Sequence, residues 1–232
     1  MIKALIYDID NTLYSYDTAH EAAFRALADS VRETFGVSVE EFSALHRDAY
    51  RIQQDRAGIQ SAAIHNRLIR CQIMLEQIGK PVSRAPRMAE IYWSTFLSHM
   101  RPFPGAEASM AFAKETGLAV GIGTNMTADY QFMKLERQGL MKYVDFLVSS
   151  EEAGAEKPDK RLFDLCVKKA GCPAGECVFI GDSLSHDALG AKQAGLRPVW
   201  LCGDAGRRSV PAGVHRLRTL NELPGLLQSL RD

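Results

Sequence analysis

A short apolar run, Ile2 to Tyr7, breaks off into Asp8-Ile9-Asp10-Asn11-Thr12, and no comparable run appears until Leu118. From there short apolar runs alternate with helical patterns: Leu118 to Ile122, Val144 to Val148, Cys177 to Ile180 and Pro198 to Leu201. Alternation of this kind builds βαβ units, so the chain is read as an α/β protein with a mainly parallel sheet. Its first strand is cut off from the others by a long insertion.

The insertion reads as helix throughout. Thr18-Ala19-His20-Glu21 has the form of a capping box and opens a stripe of Phe24, Leu27, Val31 and Phe35 that stops at Gly36. A second box, Ser38 to Glu41, opens the stripe Phe42, Leu45, Ala49 and Ile52, which stops near Gly58. A third stripe is Ile64, Leu68, Cys71, Leu75 and Ile78, and a fourth runs through Met88, Ile91, Tyr92, Thr95 and Phe96. Arg101-Pro102-Phe103-Pro104-Gly105 suits a linker returning to the sheet. The expected division is a core of residues 1–14 and 101–232 and a helical domain of residues 15–100.

With 232 residues, 46% of them apolar, the chain can bury a sizeable core. Lys plus Arg and Asp plus Glu both number 28, so there is no bulk field to attract a nucleic-acid polymer or an anionic membrane, and site charge must be local. Five cysteines without a CxxC pair suit a reducing compartment and structural thiols. The N-terminal segment lacks the long apolar stretch of a signal peptide, and no later segment is a membrane span, so a cytoplasmic location is expected.

Four segments at strand ends carry groups suited to chemistry. Asp8 and Asp10 directly follow the first strand, where ligands bind in open α/β sheets; a solvated turn is the bland alternative. Gly121-Ile122-Gly123-Thr124-Asn125 offers a hydroxyl and backbone N–H groups to an anion, and is also a plausible ordinary turn. Lys157, in Glu156-Lys157-Pro158-Asp159, precedes a helix whose dipole it opposes, which favours anion binding over helix stabilisation. Asp182 and Asp187 flank a helix start after the run Val178 to Gly181; their oxygen donors suit magnesium, although Asp187 also fits a first-turn acid. His186, between them, is not expected to be a ligand, since magnesium prefers oxygen.

Asp8 and Asp10, Thr124, Lys157, then Asp182 and Asp187 in this order resemble the haloacid dehalogenase superfamily over the whole chain. The resemblance implies a Rossmann-like, doubly wound core with an all-helical cap inserted after the first strand. It also implies roles. Asp8 would attack phosphorus, and Asp10 would protonate the leaving alcohol and later activate water. The Asp10 carbonyl, Asp8 and Asp182 would share Mg2+, supported by Asp187. Thr124 and the Asn125 backbone would hold the phosphoryl oxygens, and Lys157 would neutralise charge on substrate and nucleophile. Dehalogenases of the superfamily lack an aspartate at the place of Asp10, which leaves a phosphatase or a phosphomutase. Similar phosphatases act on nucleotides, sugar phosphates and phosphoglycolate. A phosphoaspartate signalling or binding module is a further alternative, as is a silent partner-binding protein. In capped enzymes the cap contacts the leaving group, so Tyr14, Tyr16, His20, Arg47, Arg51, Arg56 and His65 are candidates for specificity, each also readable as a solvated helix face.

Overall fold

A computed structural model of the chain describes residues 1–203 and 209–230. After β1 (Ala4–Tyr7) come α1 (Tyr16–Phe35), α2 (Val39–Ala57), α3 (Arg67–Gln77) and α4 (Ala85–His99). Then follow α5 (Ala106–Glu115), β2 (Ala119–Thr124), α6 (Ala128–Arg137), β3 (Phe146–Ser149), α7 (Ser150–Ala153) and α8 (Lys160–Ala170). The chain closes with β4 (Cys177–Gly181), α9 (Leu189–Gln193), β5 (Arg197–Leu201), β6 (His215–Leu217) and α10 (Leu223–Ser229). Two compact units result: Met1–Ser15 with Arg101–Asp232, and Tyr16–Met100. No helix among the described residues is long and apolar enough to cross a membrane.

The first unit is a six-stranded sheet of order β3-β2-β1-β4-β5-β6, parallel at every pairing. All four residues of β1 are fully buried, as expected of a central strand covered on both faces. Ile6, Phe179 and Val148 project from three strands onto Leu162, Phe163 and Cys166 of α8, forming one apolar layer. β6, only three residues long, has no apolar run and is absent from the sequence reading.

Register decides what the sheet's edge carries. Tyr7 pairs with Ile122 on one side and Ile180 on the other, so the residues that follow all three strands emerge together. Two glycines make room there. A Cβ on Gly123 would lie 2.7 Å from the Phe179 ring and 2.9 Å from Cys166 Sγ, and one on Gly181 would collide with the Asp187 carboxylate. The chain leaving β1 and the chain returning to the sheet run side by side, with Tyr14 bridged to Pro102 and the Phe103 N–H donating to the Leu13 carbonyl at 2.8 Å.

The second unit is built of α1 to α4, with α1 and α3 both packed on α4 and α2 packed on α3. The Ser38 box forms in full: the Glu41 N–H donates to Ser38 Oγ at 3.2 Å and the Ser38 N–H to Glu41 Oε2 at 2.8 Å. Thr18 does not cap α1, because the helix already begins at Tyr16 and Thr18 lies within its first turn. α3 also departs from expectation. Leu68 is 43% exposed, and the buried face carries Arg67 and Arg70 beside Cys71, Ile73, Met74 and Leu75. Cys71 and Leu75 of the expected stripe are buried, but the two cations that share their face escape an apolar-stripe reading.

Candidate active site

The end of β1 delivers Asp8 between two partner strands, its N–H donating to the Ile180 carbonyl at 2.9 Å. The end of β2 delivers Thr124 and the end of β4 delivers Asp182. A π-helical turn, Leu184–Ala188, brings Asp187 back under Gly181, where the Ser183 N–H donates to its Oδ2 at 2.9 Å. Carboxylate oxygens of Asp8, Asp182 and Asp187 all lie within 4.8 Å of one another.

Lys157 enters this group from the loop before α8. Its side chain is 3% exposed, and its ammonium lies 2.7 Å from Asp8 Oδ1 and 2.7 Å from Asp187 Oδ1 and donates to the Gly123 carbonyl at 3.2 Å. The Asn125 side chain fixes that loop by accepting from the Lys157 N–H at 2.7 Å. Asp182 is held differently. Its N–H donates to Thr12 Oγ1 at 3.1 Å, and the Trp200 indole donates to its carbonyl at 2.8 Å. One cavity of about 130 Å³ is lined by Asp8, Asp10, Thr124, Asn125, Lys157, Asp182 and Asp187, together with Ser183 and His186. A larger, mainly apolar cavity of about 470 Å³ is lined by Asp182 together with Asn11, Phe103 and Trp200, but the three carboxylates converge only on the smaller one.

Charge is out of balance in the cluster. Burial pushes the Asp8 carboxyl up to about 6, with Lys157 opposing the rise and Asp187 and Asp10 adding to it. Asp182 is pushed up to about 7 by burial and then by Asp8 and Asp187. Burial would lower Lys157, yet Asp187 and Asp8 hold it above its ordinary value, so it stays an ammonium. Three acidic groups against one cation, all with oxygen donors, fit a hard divalent ion such as magnesium. The carboxylate of Asp10 is not one of the three.

Asp10 is instead gripped from behind. Tyr14 donates a hydrogen bond to its Oδ1, and the fully buried Lys134 on α6 donates to both carboxylate oxygens at 2.8 and 2.9 Å. One turn earlier Gln131, also fully buried, donates to Thr124 Oγ1 and to the Asn125 carbonyl, each at 2.7 Å. Tyr14, one of the candidates for specificity, has no exposure, and its phenol is turned to Asp10. Neither Lys134 nor Gln131 figured in the sequence reading. On α6, Gln131 and Lys134 are buried beside Leu135 while Phe132 and Met133 are 39% and 43% exposed, an arrangement that an apolar stripe does not announce. Arg47 is exposed, and Arg51 and Arg56 pair with Asp48 and Glu76 on solvated faces.

The seven residues named from sequence thus line one cavity, Asp8, Asp10, Thr124, Asn125 and Asp182 from strand ends or just beyond them and Lys157 and Asp187 from a neighbouring loop and turn. The family model of haloacid dehalogenase-like hydrolases matches residues 2–195. The chain belongs to that family. This haloacid dehalogenase-like hydrolase is 34% identical over 203 residues to the ribulose-1,5-bisphosphate 5-phosphatase of Halopiger xanaduensis, covering 86% of this chain and 84% of the relative. It is 30% identical over 228 residues to the pyrimidine 5'-nucleotidase YjjG of Escherichia coli, covering 97% and 96%. Among solved structures, the 2-haloacid dehalogenase of Pseudomonas syringae pv. Tomato superposes with a TM-score of 0.79 at 26% identity, covering 99% of each chain. One fold therefore carries both phosphatase and dehalogenase relatives, and the chemistry of this hydrolase must be argued from its site.

Proposed function

We propose that this chain is a magnesium-dependent phosphomonoesterase that hydrolyses a small phosphorylated metabolite through a phosphoryl group carried on Asp8. The observation that carries this reading is the Lys157 ammonium bridging Asp8 and Asp187 beside Asp182, with Asp10 lining the same cavity. A carboxylate nucleophile surrounded by carboxylates is repelled by a phosphate dianion unless positive charge is supplied. Lys157 supplies part. Magnesium, when held by Asp8, Asp182, Asp187 and the Asp10 carbonyl, would supply the rest on the transferring oxygens.

In this mechanism an Asp8 oxygen attacks phosphorus as the ester P–O bond breaks, and Asp10 gives a proton to the departing oxygen. The alcohol leaves. Water then attacks the phosphorus of the aspartyl-phosphate, Asp10 takes its proton, and the P–O bond to Asp8 breaks to release inorganic phosphate. Thr124 Oγ1 and the backbone at Asn125 hold the equatorial oxygens, and Gln131 keeps that loop in place. Asp10 separates this chemistry from that of dehalogenases, which lack an aspartate there.

The relatives act on ribulose 1,5-bisphosphate and on pyrimidine nucleotides, so a sugar phosphate or a nucleoside monophosphate is the substrate class we favour, with phosphoglycolate a third candidate. The helical unit is assigned as the cap that selects among them. Five free cysteines, including Cys172 and Cys177 with sulfurs 3.4 Å apart, support a reducing, cytoplasmic setting. The test is phosphate release from a panel of esters with and without magnesium. Activity should stop with chelator and with Asp8→Asn; full activity in that variant removes the nucleophile, and return of the phosphoryl group to sugar instead of water makes the enzyme a mutase.

A further inference from the structure

Two of the five cysteines touch. Cys172 Sγ and Cys177 Sγ lie 3.4 Å apart across a single 3-10 turn, Ala174–Glu176, and the Cys177 thiol also donates to the Pro173 carbonyl at 3.7 Å. Among the described residues Cys71, Cys166 and Cys202 make no hydrogen bond to a second sulfur. No third Cys, His, Asp or Glu among the described residues joins the pair in a metal-binding group, whereas a structural zinc ion takes four ligands. The pair therefore reads as a dithiol.

The two sulfurs are unequal. Cys177 opens β4 within the apolar layer under α8, and burial, then its hydrogen bond with Cys172, pushes its thiol up to about 12. Cys172 is half-buried, and Gly171, Pro173 and Gly175 around it are exposed. A reagent in solution reaches Cys172 first, with Cys177 directly behind it. The turn is anchored where it meets the sheet: the Lys3 N–H donates to the Glu176 carbonyl at 2.9 Å, and Arg197 Nε to the Gly175 carbonyl at 2.8 Å. Sulfurs held this close have only to approach to about 2.05 Å to be bonded.

We infer that Cys172 and Cys177 form an oxidisable dithiol, a modification site whose co-reactant is a low-molecular-weight disulfide such as glutathione disulfide. In the first step the Cys172 thiolate attacks one sulfur of the reagent; a mixed disulfide forms and one glutathione thiolate leaves, taking up the proton that Cys172 gave. In the second step the Cys177 sulfur attacks Cys172 Sγ, the bond to the second glutathione breaks, and the Cys177 proton goes to that leaving group. The two protein thiols are oxidised by two electrons and one glutathione disulfide is reduced to two glutathiones. Proximity drives the second step although the Cys177 thiol is held protonated, because its target is already in contact.

The product is a staple from the end of α8 to the start of β4. Asp182 follows the other end of that strand, so the bond bears on the packing of the sheet unit and not on the carboxylate cluster. α8 brings Leu162, Phe163 and Cys166 against Val148 and Phe179, and a cross-link beside Gly171, its C-cap, restrains the unfolded chain where that layer closes.

The experiment incubates the wild-type protein with glutathione disulfide, blocks remaining thiols with N-ethylmaleimide, and digests with trypsin in the absence of reductant. The peptide of residues 170–192 holds both cysteines and no other. It should emerge two hydrogens lighter, free of maleimide, and return to the dithiol with dithiothreitol. Maleimide on both sulfurs, a glutathione adduct that never resolves, or disulfides joining other cysteines instead would each overturn the site. This reading needs no variant. The oxidised wild type should also melt about 4–8 °C above the reduced protein, the shift expected of a short disulfide loop in a chain of this size, and Cys172→Ser should show no such shift after the same treatment. An unchanged or lower melting temperature overturns the staple, and an equal rise in Cys172→Ser overturns its assignment to this pair.

Discussion

The ammonium of Lys134 donates to both oxygens of the Asp10 carboxylate, at 2.8 and 2.9 Å, from a position with no solvent exposure. In the proposed mechanism Asp10 gives and then takes a proton, which needs a fixed direction, and this grip, with the Tyr14 phenol, would supply it. Lys134→Met should lower kcat by about 10- to 100-fold with a smaller change in KM, since orientation matters in the transition state and not in ground-state binding. Removing one partner of such a pair should also cost about 1–3 kcal/mol, less than for a fully buried pair because the Asp10 side chain is 27% exposed. Steady-state kinetics and urea denaturation check both, and unchanged kcat would remove the positioning role.

Gly181 owes its identity to the carboxylate behind it. Gly181→Ala should push Asp187 away from Lys157 and out of the three-carboxylate group, because a Cβ there has no free space. The expected result is weaker magnesium binding, by about tenfold as judged from the effects of supporting groups on metal sites. Activity measured against magnesium concentration reads this directly; an unaltered half-saturation point contradicts it.

The raised carboxyls at Asp8 and Asp182 set a pH dependence. In the metal-free protein the folded state binds more protons than the unfolded chain between the ordinary value of 3.8 and the raised values of about 6 and about 7. Stability from these groups is therefore greatest at the acid end of that window and declines as pH rises through it. A divalent ion binds the ionised carboxylates, so added magnesium should raise the melting temperature more at about pH 8 than at about pH 5. Melting curves in chelator and in excess magnesium would show it, and a shift independent of pH would argue against metal binding at these groups.

In the helical unit, the reciprocal bonds between Ser38 and Glu41 fasten the start of α2. Ser38→Ala should destabilise the protein by about 0.5–2 kcal/mol without altering kcat. Denaturant titration beside an activity assay tests the pair of claims, and a stability identical to wild type would show that the box is dispensable.

Much of this site was legible because strand ends are legible. An apolar run that stops at an aspartate, repeated by Tyr7–Asp8 and Gly181–Asp182, fixes both where the strand ends and which side chain stands there. What escaped was polar and buried. Gln131 and Lys134 occupy positions that a stripe reading assigns to apolar residues, and Arg67 and Arg70 turned the buried face of α3 away from Leu68. Pattern reading equates burial with hydrophobicity, so it fails where a buried charge is offset by a partner distant in sequence, as Asp10 offsets Lys134. Thr18 misled for another reason: a capping motif is local, and α1 simply starts earlier, at Tyr16.

The bridge between Tyr14 and Pro102 brings both ends of the inserted segment to one spot on the sheet unit. A splice with adjoining ends imposes little closure entropy on whatever lies between them, and that entropy grows only slowly with length. If the helical unit selects the substrate as proposed, exchanging one contiguous stretch of gene rewrites that preference, while the strand that aims Asp8 keeps its neighbours on either side.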